Sequence, residues 1–166
     1  MNRFLLLGIA SALGLLLAGP PQALAGEGGL RAWPVDPLVK VLRSDEPPAS
    51  TPKGVLIEAA RGEVENGQIA FRAANDTAKL TASATSLKSV EGKELAPPRV
   101  RFAGYVPIKK NTAPHLQETG EQVLVAKAPV ELPDPLLEDG SIPVKAGQTG
   151  AVWLTVPVPD DAAPGT

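Results

Sequence analysis

Ala146–Thr166 reads AGQTGAVWLTVPVPDDAAPGT. Val152, Leu154, Val156 and Val158 recur at every second residue, so in an extended chain they line one face, with Trp153 and Thr155 on the other. That is the pattern of an antiparallel strand with one face on a core. A turn at Gly147–Gly150 precedes it. A second turn follows, in which Pro164 presets the φ of position i+1 and Gly165 supplies the positive φ that a type II turn needs at i+2. Such a turn returns the chain into a neighbouring strand, and only Thr166 comes after it. The expectation is therefore a sheet whose last strand is missing from this sequence.

Upstream of this stretch, short alternating runs are separated by turn residues. Leu38–Arg43 sets Val39 and Val41 against Lys40 and Leu42 and predicts a first strand, followed by a proline-rich loop over Ser44–Lys53. Gly54–Ala60 puts Val55, Ile57 and Ala59 on one face. Gln68–Ala73 points Ile69, Phe71 and Ala73 inward and Gln68, Ala70 and Arg72 outward, with a bend at Gly62 or Gly67 between the two strands. Further strands are expected over Leu80–Leu87, Val100–Val106, Val123–Val130, Ile142–Lys145 and Ala151–Val158. Leu132–Gly140, with two prolines and an Asp-Gly, predicts an ordered surface excursion instead. Eighteen prolines and sixteen glycines disfavour long helices. About seven or eight short strands without a helical period imply an all-β fold, an antiparallel β-sandwich of immunoglobulin-like or jelly-roll-like type.

Residues 1–25 read as a signal peptide. Arg3 is a short basic start, Phe4–Ala18 an apolar run, and Ala23-Leu24-Ala25 a small-x-small cleavage site ahead of Gly26. The run breaks at Gly19-Pro20-Pro21, short of the roughly 18 apolar residues a membrane span needs. Cleavage between Ala25 and Gly26 implies an exported protein, periplasmic or extracellular, with no membrane association afterwards. Residues 26–33 follow as a flexible leader and 34–166 as one sandwich domain. Of the 166 residues, 141 remain after removing 25, enough for one core. Arg3 is the only charge lost, so the net charge of −2 becomes −3, which disfavours nucleic acid and anionic membrane surfaces as partners. With no cysteine in the chain, disulfides and thiolate chemistry are excluded.

No catalytic constellation emerges. Glu63 and Glu65, at i and i+2, could project from one face of a strand as an acid and base pair, but Arg61 and Arg72 offer plain ion partners. Asp45-Glu46 and Asp160-Asp161 read as turn formers. Asp134, Glu138 and Asp139 lack the regular spacing of a calcium loop, and His115 has no neighbouring ligand or nucleophile. No metal or cofactor is expected. Trp33, Tyr105 and Trp153 are three of only six aromatics. They are the candidates for a sugar-stacking platform or an inter-domain contact, with core packing as the plainer use.

Two strings carry a family resemblance. Ala60–Gln68, ARGEVENGQ, followed by IAFRA, and VKAGQTGAVWLTVPVPDDAAPGT together resemble the N-terminal β-sandwich domain of glycoside hydrolase family 123 and related secreted bacterial proteins. Arg61, Gly62, Glu63 and Gln68 match an Arg-Gly-Glu before a Gln-bearing strand. Trp153, Thr155, Val156, Val158, Pro159, Pro164 and Gly165 match a Trp-x-Thr-Val-x-Val-Pro strand and the start of a Pro-Gly turn. In that family a barrel follows, whose adjacent Asp-Glu pair hydrolyses N-acetylgalactosaminides with assistance from the substrate. No barrel is present here, and Asp45-Glu46 does not correspond to that pair. The resemblance thus implies a non-catalytic accessory domain packing against a downstream catalytic domain of the same protein, with no activity of its own. The alternatives are a carbohydrate-binding module using Trp33, Tyr105 or Trp153, with a glycan as partner, and a structural envelope protein.

Overall fold

The strand that opens the sequence argument proves to be the middle of the molecule. In a computed structural model, which describes residues 2–6, 25–26, 29–50, 52, 54–89, 91–111 and 125–164, the segments 2–6 and 25–26 being described by backbone alone, every regular element is a strand. In chain order these are β1 (Asn2–Leu6), β2 (Ala25–Gly26), β3 (Leu30–Val35), β4 (Val55–Ala59), β5 (Val64–Ala73), β6 (Thr77–Thr81), β7 (Leu87–Lys88), β8 (Glu94–Leu95), β9 (Arg99–Ile108), β10 (Val130–Leu137), β11 (Ser141–Val144) and β12 (Thr149–Pro157). The main sheet runs β10-β9-β12-β5-β3-β2 and is antiparallel throughout. β12 pairs with β5 on one edge and with β9 on the other. The expectation that its neighbouring strand is absent is thus corrected, because both partners come from upstream.

The predicted inward face is the core. Val152, Leu154 and Val156 of β12, Ile69, Phe71 and Ala73 of β5 and Phe102 of β9 pack against Val55 and Ile57 of β4, Leu80 of β6, Leu87 of β7 and Val144 of β11. The short pairs β1–β4, β6–β11 and β7–β8 therefore form the second layer of a β-sandwich. Phe71 and Phe102 meet edge to face at 6.1 Å between ring centroids, and each is at most 2 % exposed. Burial of such a ring contributes about 1.5–3 kcal/mol, and the edge contact adds roughly 0.5–1.5 kcal/mol. Gly67 lies where a Cβ would come 2.8 Å from Val55 Cγ1, so its lack of a side chain lets the two layers close on each other.

The opposite face of β5 and β12 is also covered, contrary to the outward assignment of Gln68 and Ala70. Ala70 is fully buried and Gln68 is 4 % exposed. Trp33, Val41, Ala70, Ala103 and Ala151 form a second cluster there. In the register Trp33↔Ala70↔Ala151 runs a row of small residues under a large one, and this leaves room for the segment 36–48 to lie across the sheet.

Five other strand assignments change. Leu30–Trp33, read as leader, is in β3, because Trp33 pairs opposite Ala70 and buries its ring. Leu38–Arg43 is a chain of turns and not a strand: Leu38 is 92 % exposed while Val41 is 1 % exposed. Leu132–Gly140, read as an excursion, contains most of β10. Its prolines are tolerated because β10 is an edge strand and its pairing to β9 shifts register between Pro133 and Leu136. The expected strand Leu80–Leu87 is divided into β6 and β7, and of Val123–Val130 only Val130 is in a strand, the first two residues lying outside the described part. The expected cleavage point falls between the two residues of β2, which pair with Arg31 and Leu30.

Candidate functional site

Segment 36–48 is held to the sheet mainly by side chains instead of a strand ladder, with one backbone bond from Thr149 N to Arg43 O at 3.0 Å. Asp36 starts it with an Asx turn, its Oδ1 accepting from Leu38 N at 2.8 Å. Gln68 then donates through Nε2 to Asp36 O at 3.1 Å and Val39 O at 3.0 Å. Val41 inserts into the small-residue floor beneath Trp33, and Tyr105 donates its hydroxyl proton to Val41 O at 2.9 Å. The Arg43 guanidinium lies 3.6 Å from the centroid of the Tyr105 ring, a cation–π contact. Arg72 completes the strap, donating to Asp45 O, to Thr149 Oγ1 and to Glu46 Oε1 at 3.1, 3.1 and 2.7 Å. Burial pushes the Tyr105 phenol up to about 12, against a smaller opposing pull from Arg43.

This geometry distributes the three candidate aromatics. Trp33 is 6 % exposed under the strap, and one face of Tyr105 is occupied by Arg43. Tyr105 and Trp153 both stay half-buried, and of the two Trp153 has no cation over its ring among the described residues. Its indole N–H donates to Asn66 Oδ1 at 3.0 Å, and its ring contributes to a cleft of about 190 Å³. Pro37, Val39 and Lys40 border one side of that cleft, and Pro133, Asp134 and Leu136 of β10 the other. Lys40 Nζ donates to Pro133 O at 3.2 Å, bridging strap and sheet edge. The cleft is smaller than the roughly 300–1,000 Å³ common for small-molecule sites. It contains one carboxylate, Asp134, and no partner for acid and base catalysis.

The remaining acidic candidates are absorbed by the fold. Glu63 Oε2 accepts from Ala60 N at 2.7 Å and so closes the β4–β5 turn, which removes it from a catalytic pair with Glu65. Asp45 Oδ2 accepts from Leu42 N at 2.8 Å. Glu138 pairs with Arg99 at 2.7 Å and Arg101 at 3.6 Å, and the hydrogen bond from Arg99 holds its carboxyl below the ordinary range. Among the described residues no three His, Cys, Asp or Glu side chains gather as metal ligands. His115 lies outside the described residues.

Gln68, Arg43 and Arg72 are the residues whose part in the strap the pattern of alternation does not announce. The signal available for Gln68 is an amide placed between apolar positions of a strand that is itself flanked on both sides.

No protein-family model matches the sequence, and none of the curated proteins compared with it is similar in sequence. Among solved structures, a family 123 glycoside hydrolase from Clostridium perfringens, described in connection with glycolipid glycan hydrolysis, is similar in fold: TM-score 0.59, with 13 % identity over 82 % of this chain. The matched region is 23 % of that enzyme, so this chain spans about a quarter of its length. At that identity the likeness is one of fold.

Proposed function

We propose that this chain is the non-catalytic N-terminal accessory sandwich of an exported, family 123-like glycoside hydrolase, packing against a catalytic barrel carried elsewhere in the same protein. One observation carries the reading: 82 % of the chain superposes on a minority portion, 23 %, of a family 123 enzyme. The disposition of its polar groups agrees with it, since Glu63, Gln68 and Arg72 each hold backbone or strap. The substrate class suggested by resemblance is an N-acetylgalactosaminide. Release of aryl alcohol from an aryl N-acetylgalactosaminide is expected from the whole protein and not from 26–166. Turnover by 26–166 alone would sink the accessory role; none by the whole protein would sink the hydrolase assignment. Export is part of the proposal, and N-terminal sequencing of the secreted protein is expected to begin at Gly26.

A second reading is favoured by the partly open indole of Trp153 in its cleft. It makes the domain a carbohydrate-binding module. Glycan binding by 26–166 that Trp153→Ala abolishes without a change in melting temperature would establish it, and absence of binding by the unaltered domain would remove it.

A further inference from the structure

The second layer of the sandwich contains a strand position that no role described above uses. Among the described residues β4 pairs with β1 alone, in the register Asn2↔Ala59 to Leu6↔Val55. β1 also touches β7, so it occupies the space between β4 and the β7–β8 pair. These occupying residues belong to the segment read as the export signal. Cleavage before Gly26 would remove them and open a slot one strand wide. Val55, Ile57 and Ala59, which line that position, are 6, 4 and 2 % exposed with β1 in place. An empty slot would open this side of the core to water and present a row of unpaired backbone groups, a template for another strand.

We propose that in the processed protein this slot takes an antiparallel strand from the polypeptide that continues beyond Pro164, and that β1 holds its place in the precursor. The inference rests on reading the chain as part of a longer exported protein. Position and direction select the occupant. β4 runs from Val55 to Ala59, so an antiparallel partner must enter at the Ala59 end. At that end Ala59, Val158 and Ala162 form a small buried cluster with Leu95 of β8 packed on it. Ala162 N donates to Pro159 O at 3.1 Å, turning the chain there. Pro159, Ala162 and Pro164 border a cavity of about 370 Å³ with Leu87 and Leu95. The backbone leaving β12 thus arrives at the foot of the slot. A five-residue strand of about 17 Å suffices to fill it. Residues directly opposite each other in an antiparallel pair share a face. The incoming residues opposite Ala59, Ile57 and Val55 should therefore be apolar, and those opposite Glu58 and Leu56, which is 63 % exposed, polar.

The test is amide hydrogen exchange of the peptide 54–60 in three proteins: 1–166, 26–166 and the processed full-length protein. Slow exchange is expected in 1–166, exchange about ten-fold or more faster in 26–166, and slow exchange again in the full-length protein. If 26–166 loses protection in β5 and β12 as well, it has unfolded as a whole and the full-length protein decides alone. There, fast exchange at 54–60 beside a protected β5 overturns the proposal. Equal protection in 1–166 and 26–166 overturns it too, and protection in 26–166 that rises with protein concentration assigns the slot to a second copy. Aryl glycoside hydrolysis is measured on the same full-length sample. A protected but inactive protein then removes the hydrolase reading and leaves the strand proposal standing.

Discussion

Replacing Gln68 by methionine keeps the length and most of the volume of the side chain and removes its two donors. The amide is 4 % exposed, and its hydrogens reach Asp36 O and Val39 O at 3.1 and 3.0 Å. Each bond contributes about 0.5–1.5 kcal/mol net. Val39 is 51 % exposed, so water can reach its carbonyl once the amide is gone, and the larger penalty for a buried orphan acceptor does not apply. Gln68→Met should therefore cost about 1–3 kcal/mol, a sizeable part of the about 5–15 kcal/mol of a whole domain. At about 4 °C per kcal/mol for a domain of this size, the melting temperature should fall by about 4–12 °C. Tyr105→Phe removes the single bond to Val41 O and should cost about 0.5–1.5 kcal/mol. Both act on one strap, so the double variant should fall short of additivity by about 0.5 kcal/mol or more. Urea and thermal unfolding give the energies, and hydrogen exchange over 36–43 reports the strap. A change below about 1 °C for Gln68→Met, with exchange at 36–43 unaltered, would refute the clamp.

Phe71→Ala should cost about 3–5 kcal/mol by urea unfolding, since the ring is 1 % exposed and packed on Phe102; a loss under about 1 kcal/mol would mean that the layers do not meet there. Gly62 has φ +74° and faces the Asp160 carboxylate where a Cβ would stand. Gly62→Ala is expected to cost about 1–3 kcal/mol, and Asp160→Ala in the same chain should recover the steric part but not the backbone part. Tyr105, the only tyrosine, keeps its proton to about pH 12 because burial disfavours the phenolate, against the ordinary value of 10. Its folded value lies above its unfolded one, so this contribution to stability is whole below pH 10 and is lost as pH rises through 12. Ultraviolet absorbance should show the late titration directly, and equal alkaline destabilisation of the Tyr105→Phe variant would count against it.

The all-β class, the inward faces of β4, β5 and β12 and the turn after β4 follow from period-two alternation and glycine placement, which are local. What alternation conceals is how many layers cover a strand. Ala70 reads as an outward residue, yet it and Ala151 opposite it are covered by a strap and Trp33. Val39 and Val41 alternate as a strand would, but the carbonyls at 36, 39, 41 and 45 find Gln68, Tyr105 and Arg72 in place of a neighbouring ladder. Those partners are from 27 to 64 residues away in sequence, beyond any local signal. Pro133 and Pro135 argued against a strand, and only the edge position of β10 makes them tolerable. For the candidate site the aromatics were identifiable by type and scarcity. Their exposure was not, since Trp33 and Trp153 are both preceded and followed by apolar or small residues and differ only in what crosses above them.

The two strings that carry the family resemblance are neighbours in the fold. β5 and β12 pair so that Asn66, Gly67 and Gln68 stand opposite Thr155, Leu154 and Trp153. Asn66 Oδ1 accepts from both Trp153 Nε1 and Thr155 Oγ1, at 3.0 and 3.3 Å. At the far end Gly62 N donates to Val158 O at 2.9 Å and Val158 N to Glu63 O at 2.8 Å, with the Glu63 carboxylate closing the turn behind them. Gly62 supplies a positive φ, Glu63 a cap, Gln68 a clamp on the strap, and Val156 and Val158 buried apolar faces. Each of these matched residues thus answers a requirement of backbone or packing, and none needs a substrate to account for it. A motif of this kind marks a fold. Whether a protein bearing it hydrolyses anything has to be decided on residues outside these two strands, which is why activity is sought in the whole protein and stability in the strap.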